Sequence, residues 1–325
     1  MFILQNSYVP CSNIHIASAV LYKNNETYLG VVGVRKERLI TYFLFPVIVV
    51  SISSASILVL MSNASAIACA FWRLLFSSLI MFVIAFLRKT KVFLDLRDLT
   101  LSIISGFFLA IHFLLWMESL FLVPVSVSTT VVVTYPLISA VIDKYFFKEK
   151  LSLIQMVGLL SAFLGIVLFM HPKFASEYNV LGVFMALGAS FAAAAYFSLG
   201  RYVRKRRSTT SYTIVAYSSS TLFLYLSSIF LKDNVFKYIP ESLVYFILLS
   251  LLPMIGGHTL MNYALKYMKT STVTSVALLE PLGASLLAYV FLGQYVDAFK
   301  ALVMSIVILS VFLTVFEEAK RVSTI

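Results

Sequence analysis

Residues 278–294 read LLEPLGASLLAYVFLGQ, a nearly continuous apolar run that carries one carboxylate, Glu280, directly followed by Pro281. If this run crosses a bilayer, an ionisable group lies near its middle, at a cost of at least about 2.5–3.5 kcal/mol on insertion scales. Pro281 has no N–H, so the carbonyl of Ala277 loses its helical partner and the helix bends or opens there. Glu280 is therefore expected to face protein rather than lipid, and to be functional. The same shape occurs earlier as Tyr135-Pro136-Leu137, running on to Lys148-Glu149-Lys150. Two such segments imply a duplicated membrane protein.

Composition agrees. Of the 325 residues 61% are hydrophobic and 12% charged, against about 45–50% and about 25% in ordinary soluble domains. The chain reads as an all-α integral membrane protein with no soluble domain of useful size. The net charge of +11 would suggest nucleic acid in a soluble protein, but here basic residues gather in short loops on one side, so no nucleic-acid partner is expected. Cys11 and Cys69 have no framework spacing, and neither a disulfide, a metal site nor a cofactor is expected. Residues 1–38 lack the pattern of a secretory signal and read as a polar, poorly ordered extension.

A spanning helix needs about 20 apolar residues. On that measure ten spans are expected, at roughly 39–60, 66–87, 99–119, 124–146, 152–170, 179–200, 210–231, 242–265, 270–292 and 297–317. One set of loops then holds Arg35, Lys36 and Arg38; Arg88, Lys89, Lys91 and Arg97; Lys144, Lys148 and Lys150; Arg201 and Arg204 to Arg207; Lys266 and Lys269; and Lys320 and Arg321. The other side has only Lys173, Lys232, Lys237 and Lys300. This bias predicts a multi-pass protein of the cell membrane with both termini cytoplasmic. The densest basic stretch, 200–207, reads as a topology determinant that also touches anionic headgroups.

Sliding the sequence against itself by 145 positions places Pro136 on Pro281, Leu137 on Leu282, Ser126 on Ser271, Thr129 on Thr274, and Tyr135 on Glu280. Each half would hold five spans. Five is odd, so the second half must run upside-down relative to the first. Inverted repeats with helices interrupted at matching places point to a secondary transporter with its site at the repeat interface.

The pattern Ser126, Thr129, Pro136, Leu137, Lys148, Glu149, Leu151, Gly158 and Gly165 resembles the first EamA repeat. The run Leu279-Glu280-Pro281-Leu282, with Phe291-Leu292-Gly293-Gln294, resembles the second, and Phe71-Trp72-Arg73 is similar to the start of that family's second helix. The resemblance covers residues 39–318: a first repeat over 39–171, a second over 178–318, and a tail over 319–325. It implies the drug/metabolite transporter superfamily, with ten spans in two five-helix repeats and mostly export (efflux) of small metabolites. Gln294 departs from the family, which usually carries Glu there.

The candidate site residues follow from polarity within apolar helices. Glu280 can serve as a proton carrier or as partner to a substrate amine, or else hold neighbouring helices together. Arg73 can hold an anionic group or snorkel to the outer surface. His112 and Trp116 lie one turn apart and can project together. Span eight carries Pro253, Gly256, Gly257, His258, Asn262 and Tyr263; the proline and glycines read as a hinge, and Asn262 shares a face with His258. Tyr135 is the positional partner of Glu280. Pro136, Pro281 and Pro253 mark helix breaks. Glu118 and Asp143 fall near span ends, where solvent would reach them.

The expected function is transport of a small organic metabolite such as an amino acid, with the lipid bilayer as the other partner and a homodimer compatible with it. No G-x-x-x-x-G-K-[ST] loop is present to support ATP use. The alternative is an integral-membrane enzyme acting on a lipid-linked substrate, yet the paired carboxylates or nucleophile and base of such chemistry are missing from the spans. A channel would have no need of inverted halves.

Overall fold

The computed structural model describes residues 40, 42–90, 92, 94–123, 125–170, 179–292 and 298–323. The extension 1–38, Cys11 and Gln294 lie outside them. Among the described residues every regular element is helical. In chain order they are α1 (Tyr42–Met61), α2 (Ala66–Leu87), α3 (Leu96–Leu122), α4 (Val125–Val132), α5 (Tyr135–Tyr145) and α6 (Leu153–Met170). Then follow α7 (Val180–Arg204), α8 (Thr209–Phe230), a 3-10 turn Val235–Tyr238, α9 (Leu243–Leu249), a π-helix Ser250–Thr259, α10 (Leu260–Ala264), α11 (Thr270–Ser275), a 3-10 turn Val276–Leu279, α12 (Glu280–Leu292) and α13 (Ala298–Ser323).

Long helices begin on side chains that satisfy the otherwise unpaired first-turn N–H groups. Ser65 Oγ accepts from the amide of Ala68 at 3.3 Å, Asp95 from Asp98 at 2.8 Å, Asn179 from Leu181 at 3.0 Å and Ser208 from Ser211 at 3.0 Å. Large apolar side chains point outward along the helices, among them Phe86 (83% exposed) and Phe230 (84%). So much exposed apolar surface, on helices long enough to cross a bilayer, fits a lipid-facing exterior.

Eight helices among the described residues are long and apolar enough to cross a membrane, where ten spans were expected. The shortfall has a physical reason in each case. The fifth expected span, 152–170, holds only the shorter apolar stretch Leu153–Leu168. The ninth, 270–292, is broken into α11, a 3-10 turn and α12, so no continuous helix fills it.

The two proline breaks differ from the expected loss of a mid-helix bond. Pro136 sits in the first turn of α5, after a turn at Val133 and Thr134. Pro281 likewise sits in the first turn of α12, after the 3-10 turn. There a missing N–H has no intrahelical bond to lose. Pro253 lies inside the π-helix, where the widened register absorbs the missing donor. Thr259 Oγ1 donates to the carbonyl of Met254, five residues back, at 3.1 Å.

Close approaches join the layers. α3 and α8 meet at Gly106, where an added Cβ would stand 2.5 Å from the carbonyl oxygen of Ala216. α6 meets α13 in the same way at Gly158, whose Cβ would lie 2.8 Å from the Ser310 carbonyl. α1 lies against the interrupted helices: Gly256 and Gly257 face Ser51 and Ile52, and Gly283 faces Ser53. A Gly106→Val substitution should therefore lower folding stability by about 1–3 kcal/mol, read as a lower Tm in detergent. An unchanged Tm would mean that α3 and α8 are free to separate.

Candidate functional site

Where the interrupted helices meet α1, α2 and α3, one interior cavity is lined by Ile52 and Ala55 (α1), Arg73 (α2), His112, Phe113 and Trp116 (α3), Val132 (α4), Tyr135 (α5), Pro253 and His258 (π-helix) and Glu280 (α12). Its volume is about 20 Å³, room for about one water. An organic solute would need the walls to part.

The wall combines aromatic faces with unpaired polar atoms. Arg73 is 1% exposed, so its side chain does not snorkel. Its guanidinium lies 4.0 Å over the centroid of the Phe113 ring, and Nε and Nη1 have no hydrogen-bond partner in the protein. Glu280, half-buried, brings a carboxyl group to the same cavity. His112 Nδ1 lies 2.9 Å from the carbonyl oxygen of Ala189; a carbonyl only accepts, so this nitrogen carries the proton. The His112 ring is parallel to that of Trp116 at 6.4 Å. His258 stacks on Phe197 at 5.5 Å and lies 5.9 Å from His112. Tyr135 stacks on Phe197 at 5.8 Å. Trp116 Nε1 and His258 Nδ1 also lack protein partners. Chemically, the cavity offers a cation, a carboxyl group, two imidazoles and flat aromatic walls to whatever enters.

Of the residues singled out from sequence, Arg73, His112, Trp116, Tyr135, Pro253, His258 and Glu280 meet here. Asn262 and Tyr263 do not line it. Asn262 is fully buried and donates from Nδ2 to the Tyr196 hydroxyl at 2.6 Å and to the His258 carbonyl at 2.8 Å. Tyr263 packs against Tyr267, with ring centroids 5.5 Å apart. Pro136 and Pro281 are buried at their helix starts.

A second group was missed. Asp143, expected in solvent, is fully buried: it accepts from Arg201 Nη1 at 3.2 Å and from the backbone N–H of Ser271 at 2.8 Å. Arg201 also meets Glu149 at 2.7 Å. Gln155 Nε2 donates to Glu318 at 2.9 Å, and Lys269 reaches Glu318 at 3.1 Å. The basic stretch after α7 is likewise paired. Arg206 bonds Asp98, and Arg207 bonds Asp98 at 2.5 Å and Asp95 at 2.7 Å. Hydrogen bonding to Asp98 holds both guanidinium groups above their ordinary pKa range. The available signal was the Lys148-Glu149 pair, already quoted for the repeat motif; nothing near it in sequence points to Arg201.

These features define a multi-pass, all-helical membrane protein with an interior polar cavity between two tandem sets of helices. The family model described as "EamA-like transporter family" matches twice, over residues 38–171 and 180–316, and the chain belongs to that family. It is 23% identical over 229 residues to a Bacillus subtilis (strain 168) protein named "Uncharacterized transporter YdfC", covering 69% of this chain and 74% of that one. A solved structure described as "Crystal structure of protein" shares the fold, with a TM-score of 0.70 and 14% identity, covering 87% of this chain and 99% of the other.

The contrast between the cavity wall and Asn262 is measurable. Asn262→Ala leaves the Tyr196 hydroxyl and the His258 carbonyl without this partner and should cost about 1–3 kcal/mol of stability. A thermal melt that does not move would show that these contacts carry no weight.

Proposed function

We propose that this chain is a secondary transporter that exports a small organic metabolite such as an amino acid. It works by alternating access between two inverted five-helix repeats of ten spans in all. The observation that supports this best is the single cavity in which Arg73, His112, Trp116, Tyr135, His258 and Glu280 converge from helices of both family matches. A zwitterion fits that set: Arg73 holds the carboxylate, Glu280 faces the ammonium, and the rings of Phe113 and Trp116 flank the side chain. Glu280 also couples transport to protons, taking one when the cavity opens to the acidic side and releasing it on the other. The protein lies in the cell membrane with its basic loops and both termini in the cytoplasm.

Purified protein in vesicles tests this directly. Flux of labelled amino acids should saturate and rise when unlabelled substrate is placed on the opposite side. Glu280→Gln should reduce proton-driven flux to the level of empty vesicles, with the amount of folded protein little changed. Full retention of transport and of its pH dependence in that variant would remove Glu280 from the mechanism. Product formation without flux would favour an enzyme instead.

A further inference from the structure

The ends of the molecule around the cavity are closed by different chemistry. At the end away from the basic loops, the two family matches are joined by aromatic contacts and neutral hydrogen bonds, beside a hydrogen bond between Ser65 and the Asp233 carboxylate. Trp72 Nε1 donates to the Val235 carbonyl at 2.9 Å, Ser242 Oγ donates to the Ser62 carbonyl at 2.6 Å, and Trp72 stacks on Phe246 at 6.0 Å. At the basic end α5, α7 and α11 pack together, and the contact is ionic. Asp143 of α5 is tied at once to Arg201 of α7 and to the first turn of α11 through the N–H of Ser271. Asp143 is wholly buried and Arg201 nearly so.

A second observation lies directly behind this tie. The hydroxyls of Ser139, Ser198, Thr270, Ser271 and Thr272 are buried and have no hydrogen-bond partner in the protein. Ser139 is one turn from Asp143 on α5, and Ser198 one turn from Arg201 on α7, so each shares a face with its charged neighbour. Thr270, Ser271 and Thr272 form the first turn of α11. Native proteins rarely leave buried polar atoms unmatched. Unmatched hydroxyls on each of the three helices that meet at this tie are what a passage wet for part of a cycle would carry.

We propose that the α5–α7–α11 seam is the passage between the central cavity and the basic face, and that Asp143–Arg201, with the Ser271 amide, is the lock that closes it. The lock opens when Arg201 passes to Glu149, which it already touches from the other side. Asp143 then keeps the Ser271 amide. The proposal rests on the alternating-access reading above and adds to it which helices part, and on which face.

The test uses the full chain in a Cys11→Ser/Cys69→Ser background, reconstituted in vesicles sorted by orientation, with Ser139→Cys as a buried reporter. A membrane-impermeant maleimide is added from the basic face. With the lock intact labelling should be slow; Asp143→Asn should raise its rate at least about tenfold, as expected when the closed form loses its advantage, and should leave labelling from the opposite face unchanged. Asp143→Asn/Arg201→Gln, which leaves no unpaired buried charge, should do the same and guards against misfolding of the single variant. Unchanged labelling in both, beside saturable substrate flux in the parent, overturns the lock while sparing the transporter reading. Absence of saturable flux in the parent overturns the transporter reading, and the labelling rates still decide whether the seam opens.

Discussion

A backbone in hydrocarbon must satisfy its own N–H and C=O groups, and irregular backbone survives at membrane depth only inside protein or beside a cavity. Here the breaks at Val133 and Thr134, at the π-helix, and at Val276–Leu279 all fall around one small cavity. The helices α2 and α3, with Ile52 and Ala55 of α1, supply the rest of its lining. The same breaks aim side chains that a straight helix would send elsewhere: Tyr135 opens α5 and Glu280 opens α12. Structural weakness and chemical polarity are thus concentrated in one place, and each requires the other to be buried.

Close backbone approach makes the arrangement possible. Without a hydrophobic drive between helices in lipid, association relies on packing and on hydrogen bonds. Gly256, Gly257 and Gly283 let α1 lie directly on the two interrupted helices at Ser51, Ile52 and Ser53. α1 therefore touches both segments that carry a break in the second family match. A shift in either would be felt along the same three residues.

Much of this was legible in the sequence because it is local. A proline beside a carboxylate in an apolar run speaks through its own missing N–H, and a lone Arg73 or His112 stands out against leucines. The 145-residue offset brings Tyr135 onto Glu280, and both prove to face the same cavity. What was not legible depends on long-range partners. Asp143 looked solvated because it ends a helix; its burial comes from Arg201 and Ser271, 58 and 128 residues away. Asn262 shares a helix face with His258, yet helical spacing cannot say that Tyr196 waits beside it. Pro281 marks a break in the span 270–292, while the 3-10 form of the turn at Val276–Leu279 is a matter of geometry that composition does not carry.

The two closed ends then carry different mechanical meaning. Aromatic contacts and neutral hydrogen bonds can slide and re-form with modest loss, because ring faces tolerate offset and water can replace a neutral partner. A buried ion pair cannot: separating it leaves a desolvated charge that must find another partner at once. A molecule closed by rings at one end and by carboxylate and guanidinium at the other is graded at the first and nearly all-or-none at the second. For a carrier whose cavity must never open to both sides together, the ionic end is the natural place to set the order of events. Glu149 is the reason that end can open at all, since it gives Arg201 a carboxylate to hold while Asp143 stays bonded to the Ser271 amide.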